Sequence, residues 1–463
     1  MEMRRLRSGL LLSSLSMLLA PAACAAGPAF VVVPPGPVAT GARLELRLAL
    51  DNPADAAATA HAAFFLDTVT PAAAMGETTI EIPAHGSALA RGWGRAAAAP
   101  GKHEIRYKVR VRDIVSEGQW PIEIVDAPTR ALPLLQGMWI EPFAIHQCAA
   151  DSQPETVRRV INDSVAAMDR LGVRILIVAY VEYLGQFFYP TDIAFFDADV
   201  QRTSRGADCR FDTVGAILDE ARARGMHVML GLGRAGDTHL LWEFDKPGWD
   251  ARNASAVAAA QRVARDLHAR YGADPAFYGW YLTHEMNDLA KAGAYYDPVA
   301  RYCHELAPQM PVLAAPAGTP IATPEQIAAS EVDIFAYQDA VGAGYVPYEY
   351  TYRPEKRIAA LDELYKTYSA WHADAGKHVW SDLEVWEMDG NQGYAGAYAA
   401  PFARVKQQIE IESRHAEVLT GYAYHGYLQA PGSPAEKPNA RAQTLYTGYR
   451  AYVRTAFPTL IGK

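Results

Sequence analysis

The 463-residue sequence holds only four cysteines, Cys24, Cys148, Cys209 and Cys303, and no two of them form a CxxC pair. No HExxH run occurs either, so the ligand spacings of common zinc sites are missing and no metal or other cofactor is expected. Dense basic runs are absent: 43 Lys and Arg stand against 52 Asp and Glu, which argues against a nucleic-acid partner. Beyond the N-terminus no apolar run reaches the roughly 20 residues of a spanning helix, so no stable membrane span is expected. No GxGxxG follows the first strand of the β/α pattern described below, which disfavours a dinucleotide-binding open sheet.

What is present begins with an export signal. Arg4, Arg5 and Arg7 precede a short apolar stretch, Leu10 to Leu19, and a small-residue segment, Ala20 to Ala26. Residues 1–26 therefore read as a signal peptide, and the mature chain as periplasmic or extracellular. Acylation at Cys24 is the lesser reading, because Pro21 stands where a lipobox carries Leu. Without Cys24 three cysteines remain; Cys148–Cys209 is the disulfide to test first, against three free thiols.

Residues 28–127 read as an antiparallel β-sandwich of immunoglobulin-like type. Arg43 to Leu50 alternates as RLELRLAL, and Phe64 to Leu66, Thr78 to Ile82, His103 to Arg112 and Trp120 to Val125 follow at short spacing between Gly and Pro turns. This unit reads as structural or accessory, since neither Trp93 nor Trp120 marks a binding face.

From residue 134 to 457 apolar strands alternate with amphipathic helices. The strands fall at 134–142, 173–182, 227–233, 277–286, 311–317, 332–340, 378–387 and 418–428. Helices fall between them, as at 154–171, 211–224, 253–271, 355–374 and 401–415, with Gly172 and Gly225 as stop signals past two helix ends. Eight such units predict a (β/α)₈ TIM barrel.

Chemistry in such barrels sits where strands end and βα loops begin. Glu141 ends strand one, and Tyr180 and Glu182 end strand two. His284 and Glu285 end strand four, Gln338 and Asp339 strand six, and Tyr424, His425 and Tyr427 strand eight. On strand seven, alternation places Trp380, Asp382, Glu384 and Trp386 on one face and Ser381, Leu383 and Val385 on the helix-facing side. Glu285 and Glu384 end strands that oppose each other across a barrel mouth, and glycoside cleavage needs two carboxyl groups flanking the bond. Trp139, Glu141, Asp339, Asp382 and Trp386 are candidates for substrate contact. For any single acid or ring the plainer reading is a solvated, paired or packed side chain. Long loops at 183–210, 234–250 and 341–353 carry many aromatics that suit sugar stacking, although Phe187, Phe188, Phe195 and Phe196 read as packed beneath.

The segments GWYLTHEMND and WSDLEVWE resemble the strand-four and strand-seven regions of the retaining glycoside hydrolase clan built on (β/α)₈ barrels. The likeness is closer to an uncharacterised bacterial barrel family and covers roughly residues 134–430. It implies Glu285 as acid/base and Glu384 as nucleophile in a hydrolase acting on a carbohydrate. It also implies that His284, standing where the clan has Asn, contacts the hydroxyl beside the anomeric centre, and that Tyr337 or Tyr424 bonds Glu384. The alternatives are a non-catalytic carbohydrate-binding barrel and, weakened by the missing metal ligands, a deacetylase or lyase.

Overall fold

The computed structural model describes residues 28–145, 153–183, 186–197, 202–205, 211–233, 244–318, 320, 322–344, 354–389, 393–433 and 439–461. Cys24, Cys148, Cys209 and the signal segment lie outside the described residues, as do the loop residues 234–243 and 345–353.

Two β-sheets open the chain. Ala29–Val33, Arg43–Asn52 and Gly86–Arg95 form one, and Val38–Ala39, Ile114–Val125, Gly101–Val111, Ala58–Leu66 and Ala74–Ile82 form the other. All pairings are antiparallel except that of Val38–Ala39 with Ile114–Val125. The strand Gly86–Arg95 has no counterpart in the sequence reading, because its small residues carry little apolar alternation. Leu44, Leu46, Leu48 and Leu50 pack with Phe64, Ile105, Val109, Ile122 and Ile124 from the other sheet in one core. This is period-two alternation burying one face of each sheet.

Eight parallel strands then close a barrel in chain order, with Leu135–Ile140 as strand one and Ile175–Val178, His227–Gly231, Phe277–Leu282, Val312–Ala314, Ile334–Gln338, His378–Glu384 and Val418–Tyr422 following. A helix follows each strand: Pro154–Asp169, Thr213–Ala223, Trp249–Tyr271, Leu289–Leu306, Pro324–Ala329, Pro354–Asp374, Phe402–Glu412 and Ala440–Ala456. Gly172 and Gly225 adopt φ of 83° and 63°, the left-handed conformation that ends a helix at little cost only for glycine. Phe187 and Phe188 are buried, whereas nothing is described of the side chains of Phe195 and Phe196.

Several strands are shorter than alternation predicts: strand two stops at Val178 and strand four at Leu282, so Tyr180, Glu182, His284 and Glu285 lie beyond their strand ends. Strand seven stops at Glu384, and Trp386–Asp389 pairs instead with Gly393–Ala399 in a separate hairpin. Strand eight stops at Tyr422, so Tyr424 and His425 lie beyond the strand.

The sandwich closes the barrel's N-terminal end. The alternate residues of the RLELRLAL strand, Glu45 and Arg47, are fully buried against the starts of the barrel strands. Arg47 pairs with Asp333 at 2.8 Å, just before strand six, and with Glu45 at 3.0 Å. Glu45 meets His378, the first residue of strand seven, at 3.0 Å. His378 meets Glu417, which precedes strand eight, at 2.5 Å. Tyr278 donates to the Val32 carbonyl, and Trp120 stacks on His227. Both tryptophans of the sandwich thus face the barrel, since Trp93 lies 5.2 Å from the His378 ring.

Candidate active site

The candidate site lies at the opposite, C-terminal end of the barrel. A cavity of about 460 Å³ is lined by Glu285, Gln338, Asp382 and Glu384, with Trp386, Ala397 and Tyr427 toward the mouth. Deeper lies a narrower chamber of about 100 Å³, walled by Trp139, Glu141, Ala179, Tyr180 and Tyr281. Tyr183, Glu285, Asp382 and Tyr422 line both, so the two form one cleft with an inner end.

Tyr281 lies near the end of strand four, and Glu285 comes three residues after its last residue, Leu282; both line the inner chamber. Asp382 and Glu384 share the cleft face of strand seven, while the hydroxyl of Ser381, the residue before Asp382, bonds Glu412 in the helical layer. Trp139 meets Tyr281 edge-on at 4.7 Å and donates its indole N–H to Thr420 at 3.2 Å, which fixes the chamber floor. Tyr422 donates to Glu141 at 2.6 Å.

Glu384 is held by the turn after strand six. The Ala343 N–H donates to its Oε2 at 2.8 Å. Asp339 sits behind, its Oδ1 accepting from the Val341 N–H at 3.0 Å and the Glu384 N–H at 3.3 Å. Gln408 donates to the other Asp339 oxygen. Burial pushes the Glu384 carboxyl up to about 8, Asp339 adds to the rise, and the Ala343 N–H, Arg404 and Arg357 oppose it. Burial likewise raises Asp339, against its hydrogen bonds and Arg404. Asp382 is driven well above the usual carboxylate range by burial first, then by Glu285, Glu384 and Asp339, against a hydrogen bond from the Trp139 side chain. Its Oδ1 is buried with no hydrogen-bond partner among the described residues.

The strand-by-strand arrangement agrees with a family match over residues 135–435, to a domain of unknown function named DUF4434. The chain belongs to the DUF4434 family. No curated protein matches it in sequence. A candidate alpha-L-fucosidase structure from Bacteroides thetaiotaomicron is similar at 14% identity and a TM-score of 0.49, covering 71% of this chain and 95% of that one. The endo-β-1,4-mannanase of Thermotoga petrophila matches at 10% identity and a TM-score of 0.47, covering 71% and 78%. The β-glucuronidase of Bacteroides uniformis matches at 11% and a TM-score of 0.38, covering 86% of this chain but only 45% of the enzyme. Likeness of this degree transfers no activity.

In this DUF4434 barrel, the cleft brings together Glu285 and Glu384 with Trp139, Glu141, Asp382 and Trp386. Four other candidates stand outside its lining. His284 packs edge-on against Tyr295 at 4.7 Å. Tyr337 stacks on Tyr368 at 3.9 Å and meets His372 at 3.0 Å, on the helical side of strand six. Tyr424 is buried past the end of strand eight, its hydroxyl accepting from the Ala430 N–H at 3.3 Å. Asp339 braces the backbone of Glu384 from behind. The expected tyrosine bond to Glu384 is therefore replaced by the Ala343 N–H. Tyr180, Tyr183, Tyr281, Gln338, Tyr422 and Tyr427 line the cleft without having been singled out as contacts. Tyr281 is marked by its place next to the last residue of strand four, whereas Tyr422 is hidden because the apolar pattern of strand eight runs on six residues past the strand's end. Glu182 is buried at the start of a short ribbon outside the cleft lining. Among the described residues no three His, Cys, Asp or Glu side chains group to hold a metal ion, and no helix is long and apolar enough to cross a membrane.

Proposed function

We propose that this chain is an exported glycoside hydrolase that cleaves a polysaccharide or oligosaccharide with retention of configuration. The observation that carries the reading is the convergence of Glu285, just past the end of strand four, and Glu384, the last residue of the opposed strand seven, on one cleft walled by aromatic rings.

Glu384 attacks the anomeric carbon as the glycosidic C–O bond breaks. Glu285 gives its proton to the departing oxygen, so the aglycone leaves as an alcohol. Glu285, now anionic, takes a proton from water, whose oxygen displaces Glu384 from the anomeric carbon and restores both carboxyl groups. The nucleophile must be ionised, and the Ala343 N–H is placed to favour that form. Trp386 lines the cleft toward its mouth as a ring against which a sugar can pack, while Trp139 is buried in the chamber floor.

The test is a panel of bacterial and plant glycans given to the mature protein. Glu384→Gln is expected to cut turnover by roughly a thousandfold or more while sugar binding survives. Wild-type rates in that variant would refute the nucleophile assignment. Glycan binding by the unmodified protein without any cleavage would favour the binding-barrel alternative. Retention is read from the anomer first formed, followed by NMR. Export is tested by fractionating cells that express the full chain.

A further inference from the structure

The cleft has an unusual charge balance. Glu141, Glu285, Asp382 and Glu384 all line it, and no Lys, Arg or His does so among the described residues. Glu141 is engaged by the Tyr422 hydroxyl at 2.6 Å. Asp382 stands at the junction of the inner chamber and the outer cavity, 3% exposed, with its Oδ1 unpartnered among the described residues. A buried acceptor in that state awaits a donor from the ligand. Tyr180, Tyr281 and Trp139 surround the chamber with ring faces and edges, which are compatible with an organic cation and with a sugar ring alike.

We infer that the sugar held in the inner chamber carries a free amine, and that Asp382 and Glu141 recognise its ammonium group. The inference rests on the reading of the cleft as a sugar site and names the substrate class: a glycan containing unacetylated amino sugar. An ammonium supplies three donors and a positive charge, whereas a hydroxyl supplies one donor and none. A uronate or sulfated sugar would bring a further negative charge into a cleft lined by four carboxyl groups and, among the described residues, by no cation. The crowding that lifts Asp382 above the ordinary carboxylate range arises from burial, Glu285, Glu384 and Asp339, and a cation at Oδ1 relieves it. Binding of the amine therefore expels a proton from the cleft.

The experiment uses the full mature protein and the quenching of tryptophan fluorescence, since Trp139 and Trp386 line the cleft. Glucosamine and galactosamine are compared with glucose, galactose, N-acetylglucosamine and glucuronate at about pH 6, where the amines are charged. Amino sugars are expected to bind at least roughly tenfold tighter than their neutral parents, with glucuronate weakest. Calorimetry in two buffers of different ionisation heat should register proton release for the amines alone. In Asp382→Asn the advantage of the amine should shrink to within roughly threefold while neutral sugars still bind, which also shows that the variant is folded. Equal or tighter binding of neutral or acidic sugars, or no binding of either amino sugar, overturns the inference. Cleavage of a neutral glycan that is lost in Glu384→Gln would overturn it too, yet leave the hydrolase reading standing. Selective amine binding with no cleavage of any amine-bearing glycan would do the reverse.

Discussion

At the scale of single residues the cleft stores an electrostatic cost. The Glu384 carboxyl lies at about 8 in the fold against 4.5 as the ordinary value, because burial and Asp339 disfavour its anion. The sign follows from linkage: a carboxyl raised by folding contributes stability below its unfolded value and loses it as pH rises through its folded value. The window here runs from about 4.5 to about 8. Glu384→Gln never ionises and escapes that loss. It should therefore unfold at a higher temperature than the unmodified protein at neutral to mildly alkaline pH, with the difference vanishing near pH 4.5. Thermal melts across that range check it, and a variant less stable throughout would show that the glutamate is not under strain. Asp339→Asn keeps an oxygen for the Val341 and Glu384 N–H groups but removes the negative charge behind the nucleophile. The acid limb of kcat/KM should then move to lower pH, as Glu384 ionises more readily. An unmoved limb would leave Asp339 a purely structural brace.

At the scale of elements, the eight β/α units were legible because buried parallel strands are apolar runs and their helices carry a polar face. The cleft acids were legible for a related reason: alternation on strand seven put Asp382 and Glu384 on one side and Ser381 on the other, where it reaches Glu412. The ends of strands were not legible. Alternation can continue in sequence after the chain has left the sheet, as it does from Glu384 through Trp386 into the outer hairpin. The same continuation past Tyr422 carries the expected strand eight to Tyr424, which lies beyond it. The turn after strand six was hidden as well, since its role depends on backbone N–H groups rather than on side-chain type. That turn makes its own prediction. A Cβ on Gly342 would lie 2.0 Å from the Trp386 carbonyl oxygen and 3.0 Å from Glu384 Oε2. The clash with backbone cannot be relieved by a rotamer change. Gly342→Ala should therefore shift the Ala343 N–H away from Glu384, lowering kcat by about tenfold or more and stability by about 1–3 kcal/mol. Unchanged kinetics in that variant would mean that the turn does not set the nucleophile's position.

At the scale of the whole molecule, the candidate site and the joint with the sandwich occupy opposite ends of the barrel, the division usual for this architecture. The sandwich plugs the N-terminal end, and the polar half of its RLELRLAL strand becomes the interior of the joint. Alternation told which residues leave the sandwich core, but nothing in it tells that Glu45 and Arg47 meet Asp333 and His378 roughly 290 and 330 residues later. Burial alone would raise the Glu45 carboxyl. Arg47, the His378 hydrogen bond and Arg91 outweigh it and hold Glu45 at about 2. Asp333 is held well below its ordinary value, chiefly by Arg47 and His304 against burial. Carboxyls lowered by folding contribute stability above their unfolded values and lose it as pH falls through the folded ones. The joint should thus weaken between about pH 4.5 and about pH 2. Arg47 also donates to the Pro308 and Gln309 carbonyls, both at 3.0 Å, so its removal takes the fully buried cation from two carboxylates, leaving them to Arg91, His304 and His378, and leaves two backbone acceptors without their donor. Arg47→Met should cost about 3–5 kcal/mol at neutral pH, with the cleft's sugar affinity unchanged in the folded fraction. Adding Asp333→Asn to it should recover part of the loss, because one of the two carboxylates is gone. Urea unfolding of the single and double variants at pH 7 and pH 3 reads both effects. The single variant's deficit should shrink at the lower pH, where the two carboxyls can take up protons, and a deficit that stays constant would show that charge does not hold the two domains together.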